Sequence, residues 1–237
     1  MKKIVKISIV FFTLMTILFG CEESTNNSSK SSISNNNQIQ DNENDIKIGT
    51  QTWMKSNLNN VTFRNGDTIP EAKTIEDWNT ANEERRPAWC YYNNDSTNQS
   101  KYGKLYNWYA VNDYRGIAPK GYVVPNSEDY EILINFAGGK YDPNSAFRIK
   151  STNGWISNEN KGNNETGFSA LPGGYRNEDG SFSEIGENGA WWCRDETPGI
   201  YHAYFNWFVQ NIFGDIQGRG CSKARGQSVR CIKYIQK

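Results

Sequence analysis

The chain has 237 residues, 26 basic and 26 acidic side chains, one histidine and an aromatic share of 14%. A length of this order holds one globular domain plus appendages, and the balanced charge argues against the basic surface that a nucleic-acid partner requires. The single histidine, His202, stands in Tyr-His-Ala-Tyr-Phe with no G-x-S-x-G or papain-like signature, so nucleophilic catalysis of the Ser-His-Asp or Cys-His kind finds no support.

The first twenty residues read as an export signal. Lys2, Lys3 and Lys6 form a basic start, and Ile7–Phe19 is an apolar run too short for a comfortable membrane span. It ends Leu18-Phe19-Gly20-Cys21, which resembles the bacterial lipobox, in which the cysteine is acylated, palmitate included, and becomes the first mature residue. The alternative is an ordinary cleaved signal followed by a chance cysteine. Several acyl chains on Cys21 would anchor the protein stably to a membrane, where one chain would not.

Residues 21–45 are rich in Ser, Asn, Gln and acids, with Ile33 and Ile39 as the large apolar residues. Such a segment buries too little to offset its ordering entropy, and is expected to be a disordered tether reaching on the order of 25–30 Å. Glu22, Glu23, Asp41, Glu43 and Asp45 oppose Lys30 there, and the chain without its signal carries 23 basic against 26 acidic residues, a net −3. The acids sit in the tether, so the remainder is nearly neutral. Glu22-Glu23 beside the cysteine resembles the acidic export tag of surface-displayed lipoproteins in some Gram-negative bacteria, which places the protein at the bacterial outer membrane, on the cell surface.

From Ile46 onward the pattern is that of a folded domain. Ile46–Met54 predicts an opening strand with a turn near Gly49. Leu58–Ile69 alternates around Asn65-Gly66, a strong hairpin signal. Glu71–Arg86 is polar and predicts a short helix around Ile75–Trp78 within a surface loop. Trp89-Cys90-Tyr91-Tyr92 reads as an aromatic strand followed by a polar loop. In Tyr102–Val111 the spacing of Leu105, Trp108, Tyr109 and then Asn112 predicts a first helix with one face buried. Pro119–Pro125 is extended. Asn126 with Asp129 is a capping-box variant that launches a second helix, with Tyr130, Leu133, Ile134 and Ala137 on one face and Gly138-Gly139 as its stop.

Glycines then recur at 167, 173, 174, 180, 186 and 189 among Phe168, Leu171, Tyr175, Phe182, Ile185, Trp191 and Trp192. This predicts short strands and tight turns folded over large rings. Trp53, Trp108 and Trp155 fit packing positions, while Trp191-Trp192 on a strand would put one ring inside and one outside.

The run Gly167–Trp192, the opening Gly49-x-Gln51-x-Trp53-Met54 with Asn57-Leu58, and the closing Val229-Arg230-Cys231 resemble the Fibrobacter succinogenes major paralogous domain, a bacterial surface-protein family. The resemblance covers residues 46–237. It implies a single α+β, C-type-lectin-like domain of the kind formylglycine-generating enzymes use. In that architecture two helices pack on twisted antiparallel strands with glycine-rich loops and disulfides, and the last strand, Ser228–Ile235, returns beside the first.

Four cysteines remain besides Cys21, an even number that in an exported domain points to disulfides with three connectivities open. The resemblance implies Cys90–Cys231 and, as a second bridge, Cys193–Cys221. It also raises an enzyme alternative, because Arg219-Gly220-Cys221-Ser222 loosely resembles a run near the active site of formylglycine-generating enzymes. Those enzymes oxidise substrates with a close, copper-binding cysteine pair, whereas Cys221 and Cys231 are farther apart in sequence.

Other chemistry is thin. No zinc spacing occurs. Asp195-Glu196 are neighbours and point to opposite faces of a strand, unlike a glycosidase pair. Glu178-Asp179 before Gly180 are ordinary turn acids. Asn93-Asn94-Asp95 and Asn163-Asn164-Glu165 offer oxygens without calcium-loop spacing. We therefore expect no cofactor, no metal and no enzymatic activity. The expected function is a lipid-anchored module for a glycan or a surface protein, with a structural envelope role as the alternative. By analogy with lectin-like folds its ligand surface falls on the excursion between Cys193 and Cys221, at Trp192, Arg194, Asp195, Glu196, Tyr201, Asn206, Trp207 and Arg219.

Overall fold

A computed structural model describes residues 43–157, 161–197, 202–209 and 216–233, with backbone alone for 202–209 and 216–217. Cys21, the signal and most of the tether lie outside the described residues, as do Tyr201 and the chain after Lys233. Among the described residues the architecture is mixed α+β, with few helices, most of them one to two turns long, and three sheets. Among the described residues no helix is long and apolar enough to cross a membrane.

In chain order the elements are β1 (Asp45–Ile48), β2 (Gln51–Met54), α1 (Ile75–Glu83), β3 (Trp89–Cys90), α2 (Gln99–Tyr102), β4 (Leu105–Tyr106), α3 (Trp108–Val111), β5 (Tyr122–Val123), α4 (Ser127–Phe136), α5 (Ser145–Ile149), β6 (Gly173–Arg176), β7 (Phe182–Ile185), β8 (Asn188–Glu196), β9 (His202–Val209), β10 (Ile216–Ser222) and β11 (Ile232–Lys233). One sheet has the order β1-β2-β11-β5 and a second β10-β9-β8-β6-β7, while β3 and β4 pair by themselves. The closing strand thus does return to the opening hairpin, inserted between β2 and β5.

The helix starts follow from their caps. Asn126 accepts from the Asp129 amide at 2.8 Å and donates its own amide to the Asp129 carboxylate at 2.9 Å. This launches α4 with Tyr130, Leu133 and Ile134 buried. Thr74 and Asp77 exchange the same pair of bonds at the start of α1, which buries Trp78 and Ala81 and runs on to Glu83, past the single turn expected.

Two expected elements differ. Tyr102–Val111 is not one helix, because Leu105 and Tyr106 pair with Cys90 and Trp89. Asn107 then accepts from the Ala88 and Ala110 amides, both at 3.0 Å, and restarts the chain as the single turn α3. Strand pairing with distant residues overrides the local helical spacing. The Leu58–Ile69 hairpin is reduced to one bridge, Thr62 with Thr68, around the Asn65-Gly66 turn.

Trp191 and Trp192 do point to opposite faces of β8, yet both are fully buried, since the sheet is covered on both sides. Trp192 joins the cluster of Tyr106, Trp108 and Val229 and donates its indole N–H to the Tyr106 carbonyl at 2.8 Å. Trp191 joins Trp53, Tyr130 and Phe168 and donates to Asn57 Oδ1 at 2.9 Å.

That second cluster encloses Arg230, 1% exposed. Its Nε donates to Asn57 Oδ1 at 2.9 Å and its Nη1 to the Phe168 carbonyl at 2.7 Å, with the guanidinium 4.6 Å from the Phe168 ring centroid. Asn57 Nδ2 continues to the Tyr102 carbonyl at 2.9 Å. Burial lowers Arg230 to about 10, so it stays charged at neutral pH. Arg176 plays the corresponding part elsewhere, donating to the carbonyls of Gly180, Ala72 and Thr74 between the rings of Trp78 and Phe182.

The expected disulfides are absent: Cys90, Cys193, Cys221 and Cys231 are all buried and none is bridged. Cys90 belongs to one core cluster, with Trp78 and Leu105, and Cys231 to another, with Trp192 and Val229. Cys193 on β8 and Cys221 on β10 are separated by β9, and two strand spacings of ~4.8 Å exceed the ~7 Å Cα limit for a bridge.

Burial pushes the Cys90, Cys221 and Cys231 thiols from 9.0 up to about 12. The folded state therefore keeps protons that the unfolded chain releases above pH 9. The stability this represents is complete below pH 9 and is lost as pH climbs toward 12, at up to ~1.4 kcal/mol per pH unit for each thiol. Alkylation of the denatured, unreduced protein should label all four residues, and denaturation midpoints should fall across pH 9–12. A linked Cys90–Cys231 peptide would contradict this assignment.

Candidate functional site

The end of β8 carries half of the residues expected to bind. Trp192 stands opposite Phe205 and Glu196 opposite Ala203, so Cys193, Arg194 and Asp195 together face Tyr204 in a bulge. The bulge has a visible use. The Arg194 amide donates to the Pro125 carbonyl at 2.9 Å, and Asp195 Oδ2 accepts from both the amide and the hydroxyl of Ser127 at 2.6 Å. Ser127 opens α4, so the strand bends to bring a carboxylate to a first-turn amide that the helix itself leaves unpaired.

Asp195 is therefore a helix-capping group. Asp195→Ala should cost ~1–2 kcal/mol of stability, read as a lowered urea midpoint; an unchanged midpoint would dismiss the cap. Glu196 lies 3.4 Å from Lys223 Nζ, which in turn sits 4.2 Å from the Trp108 ring centroid. Trp192 is in the core. Arg194 and Arg219 are exposed. Asn206 and Trp207 belong to β9, opposite Trp191 and Ala190, and their side chains, like all of Tyr201, lie outside the described residues. The expected site is thus divided: Trp192, Asp195 and Glu196 have structural duties, and of the remainder only Arg194 and Arg219 have described side chains.

The Asn-rich clusters fold back on themselves. Asp95 accepts from the Thr97 amide at 2.9 Å, Asn163 from Glu165 at 3.1 Å and Asn164 from Ser169 at 2.7 Å, as turn residues do.

A different place collects polar groups. A cleft of about 430 Å³ lies between α1, Arg85, Tyr109 of α3, the β6–β7 turn and the residues around the end of β10. Its floor is pinned at the Ala224 carbonyl, which accepts from Trp78 Nε1 and Asn82 Nδ2, both at 3.0 Å. Asn82 Oδ1 accepts in turn from Asn107 Nδ2 at 3.2 Å. Asp179 is committed to Ser181, accepting from its amide at 2.9 Å and its hydroxyl at 2.6 Å. These bonds lower the Asp179 carboxyl below its ordinary value.

Four other lining side chains, those of Asn79, Glu83, Arg85 and Glu178, have no hydrogen-bond or ion-pair partner among the described residues. Arg85 is also held in a left-handed conformation, φ 53°. It closes α1 with the Arg85 amide donating to the Asn82 carbonyl and the Arg86 amide to that of Ala81, at a position where glycine is the low-cost residue.

Sequence reading passed over this cleft. Residues 79–85 look like a polar surface and Glu178-Asp179 like a turn, and no spacing links either to Tyr109 or Ser222. Among the described residues no group of three His, Cys, Asp or Glu side chains is arranged to hold a metal.

The family model described as the Fibrobacter succinogenes major domain matches residues 46–233. The chain belongs to this family. The matched stretch runs from β1 to β11 and takes in both the bulge and the cleft. The family motifs chiefly build the interior: Gln51 Oε1 accepts from Trp53 Nε1 at 3.1 Å and Gln51 Nε2 donates to the Asp129 carbonyl at 2.8 Å, while Asn57 and Arg230 bond each other. Membership thus speaks to the fold rather than to a ligand. No curated protein and no solved structure matches the chain.

Proposed function

We propose that this protein is a lipoprotein of the bacterial outer membrane, held at the cell surface by acylated Cys21. Its folded part acts as a non-catalytic, C-type-lectin-like module that binds a glycan or another surface protein. The observation that carries the binding reading is the cleft, where Asn79, Glu83, Arg85 and Glu178 present unused hydrogen-bonding groups over a floor fixed by other bonds. The return of β11 to the opening hairpin supports the lectin-like architecture. The thiols favour binding over oxidase chemistry, since burial raises three of them to about 12, away from the depressed values that make cysteines reactive.

The test is a glycan and surface-protein screen of residues 46–237, in which a specific hit supports the module. No hit in either arm favours a structural envelope role. The anchor is tested separately. Cys21→Ala should release the protein into a soluble or unprocessed form, because the tether has no apolar anchor of its own. Membrane retention of a fully processed Cys21→Ala chain would refute lipidation.

A further inference from the structure

Resting on the binding-module reading, we infer that the cleft between α1, α3 and the β6–β7 turn receives the end of a neutral saccharide. Its volume of about 430 Å³ lies within the range of small-ligand sites, roughly 300–1,000 Å³, so it suits one or two sugar units and not a folded domain. The chemistry of the lining is mixed in the way hydroxyl recognition demands. Glu83 and Glu178 only accept, Arg85 only donates, and Asn79 does both. A sugar hydroxyl donates and accepts at once, so adjacent hydroxyls can engage a carboxylate and a guanidinium or amide together. Tyr109, half-buried on the wall, adds an aromatic ring of the kind that packs against the C–H face of a sugar.

Charge narrows the class. The lining holds three carboxylates, Glu83, Glu178 and Asp179, against the one guanidinium of Arg85. A uronic or sialic acid would bring a further negative charge among them, and like charges at close range repel. A neutral sugar meets no such penalty. A protein partner is the less fitting occupant. Such interfaces bury ~800 Å² per side around apolar anchors, and none of the exposed large apolar side chains among the described residues, Tyr114, Tyr141 and Ile156 included, lines the cleft. The floor is also set before binding, because Trp78 and Asn82 both hold the Ala224 carbonyl, which lowers the entropy lost when a ligand is fixed.

The experiment is calorimetric titration of the full processed chain in detergent. The probes are glucose, galactose, mannose, N-acetylglucosamine and their β-linked disaccharides, with glucuronate and sialic acid as the acidic arm. At least one neutral disaccharide should bind. Its affinity should fall tenfold or more in Glu178→Gln and in Tyr109→Ala, survive in Tyr109→Phe, and exceed that of either acidic sugar. Glu178 is exposed at a turn, so Glu178→Gln reports on the cleft even if Tyr109→Ala fails to fold. Neutral binding untouched by Glu178→Gln and Tyr109→Ala, or a preference for the acidic sugars, overturns the assignment. A surface-protein hit with no saccharide binding also overturns it while leaving the binding module standing. Absence of both removes the module as well.

Discussion

Arg230→Ala is expected to cost at least ~4 kcal/mol and to leave little folded protein. The guanidinium is 1% exposed and bonds Asn57 Oδ1 and the Phe168 carbonyl while lying on the Phe168 ring. Alanine removes those donors: Asn57 Oδ1 keeps Trp191, while the Phe168 carbonyl loses the Arg230 donor, and a buried acceptor left short of a partner costs ~1–3 kcal/mol. The emptied volume adds a cavity term of a few kcal/mol on the scale of large-to-alanine core changes. Against a typical total of ~5–15 kcal/mol, this is most of the stability of a single domain. Arg230→Lys should rescue poorly, since one ammonium cannot reproduce a fork that reaches both acceptors. Urea unfolding of both variants is the measurement. A midpoint for Arg230→Ala close to wild type would show that the buried cation is not what joins the two ends of the chain. The effect should be non-additive with Asn57→Ala, because Trp191 and Arg230 share the Asn57 oxygen.

The second large effect is expected at Gly174→Ala. Gly174 has φ 61°, where an L side chain carries a penalty of ~1–2 kcal/mol. It also pairs with Gly189 in the single parallel contact between β6 and β8. A Cβ there would collide with the Ser183 carbonyl oxygen and lie 2.7 Å from both the Ile185 nitrogen and the Tyr92 ring. Two of these neighbours are backbone of β7 and cannot rotate away. Relief requires β6 to part from β7 or the Tyr92 ring to leave its cluster, so we expect a loss above ~4 kcal/mol, the conformational and overpacking terms acting together. Gly66→Ala is the control. It also has positive φ, 96°, but a Cβ there meets nothing within 4 Å, so its cost should stay near the conformational penalty alone. Similar losses in the two variants, by thermal or urea unfolding, would show that backbone conformation and not contact limits position 174.

Both positions lie in stretches legible in the sequence, Gly174 in the glycine-aromatic run and Arg230 in the closing Val-Arg-Cys. Their roles were not legible. The same division runs through the secondary structure. Asn126 and Asp129 mark the start of α4 because a capping box closes within four residues. Leu105 and Trp108 have equally helical spacing, yet Leu105 packs with Trp78 while Trp108 packs in a separate cluster with Trp192. No window around residue 105 reports that β3 will take it as a strand partner.

The candidate site shows the same limit. The run Arg194-Asp195-Glu196 looks like an exposed recognition segment until Ser127, 68 residues earlier, is seen to claim Asp195. Likewise Cys193 and Cys221 look like a bridge until β9 is found between them. Conversely, the cleft residues are unremarkable in sequence, because Asn79, Tyr109 and Glu178 become neighbours only when α1, α3 and the β6–β7 turn meet.

The sequence by itself determined the helix start at Asn126, the breaks at Gly138-Gly139, the turn at Gly49, the aromatic core and the family, since caps, turns and motifs are set by residues close together in the chain. Tertiary structure alone decided that both Trp191 and Trp192 are buried, that the thiols are unbridged and that Asp195 caps a helix. Each of these depends on which strand or helix lies alongside, and that is settled by the packing of segments far apart in sequence, as with Arg230 and Asn57, 173 residues apart and in direct contact.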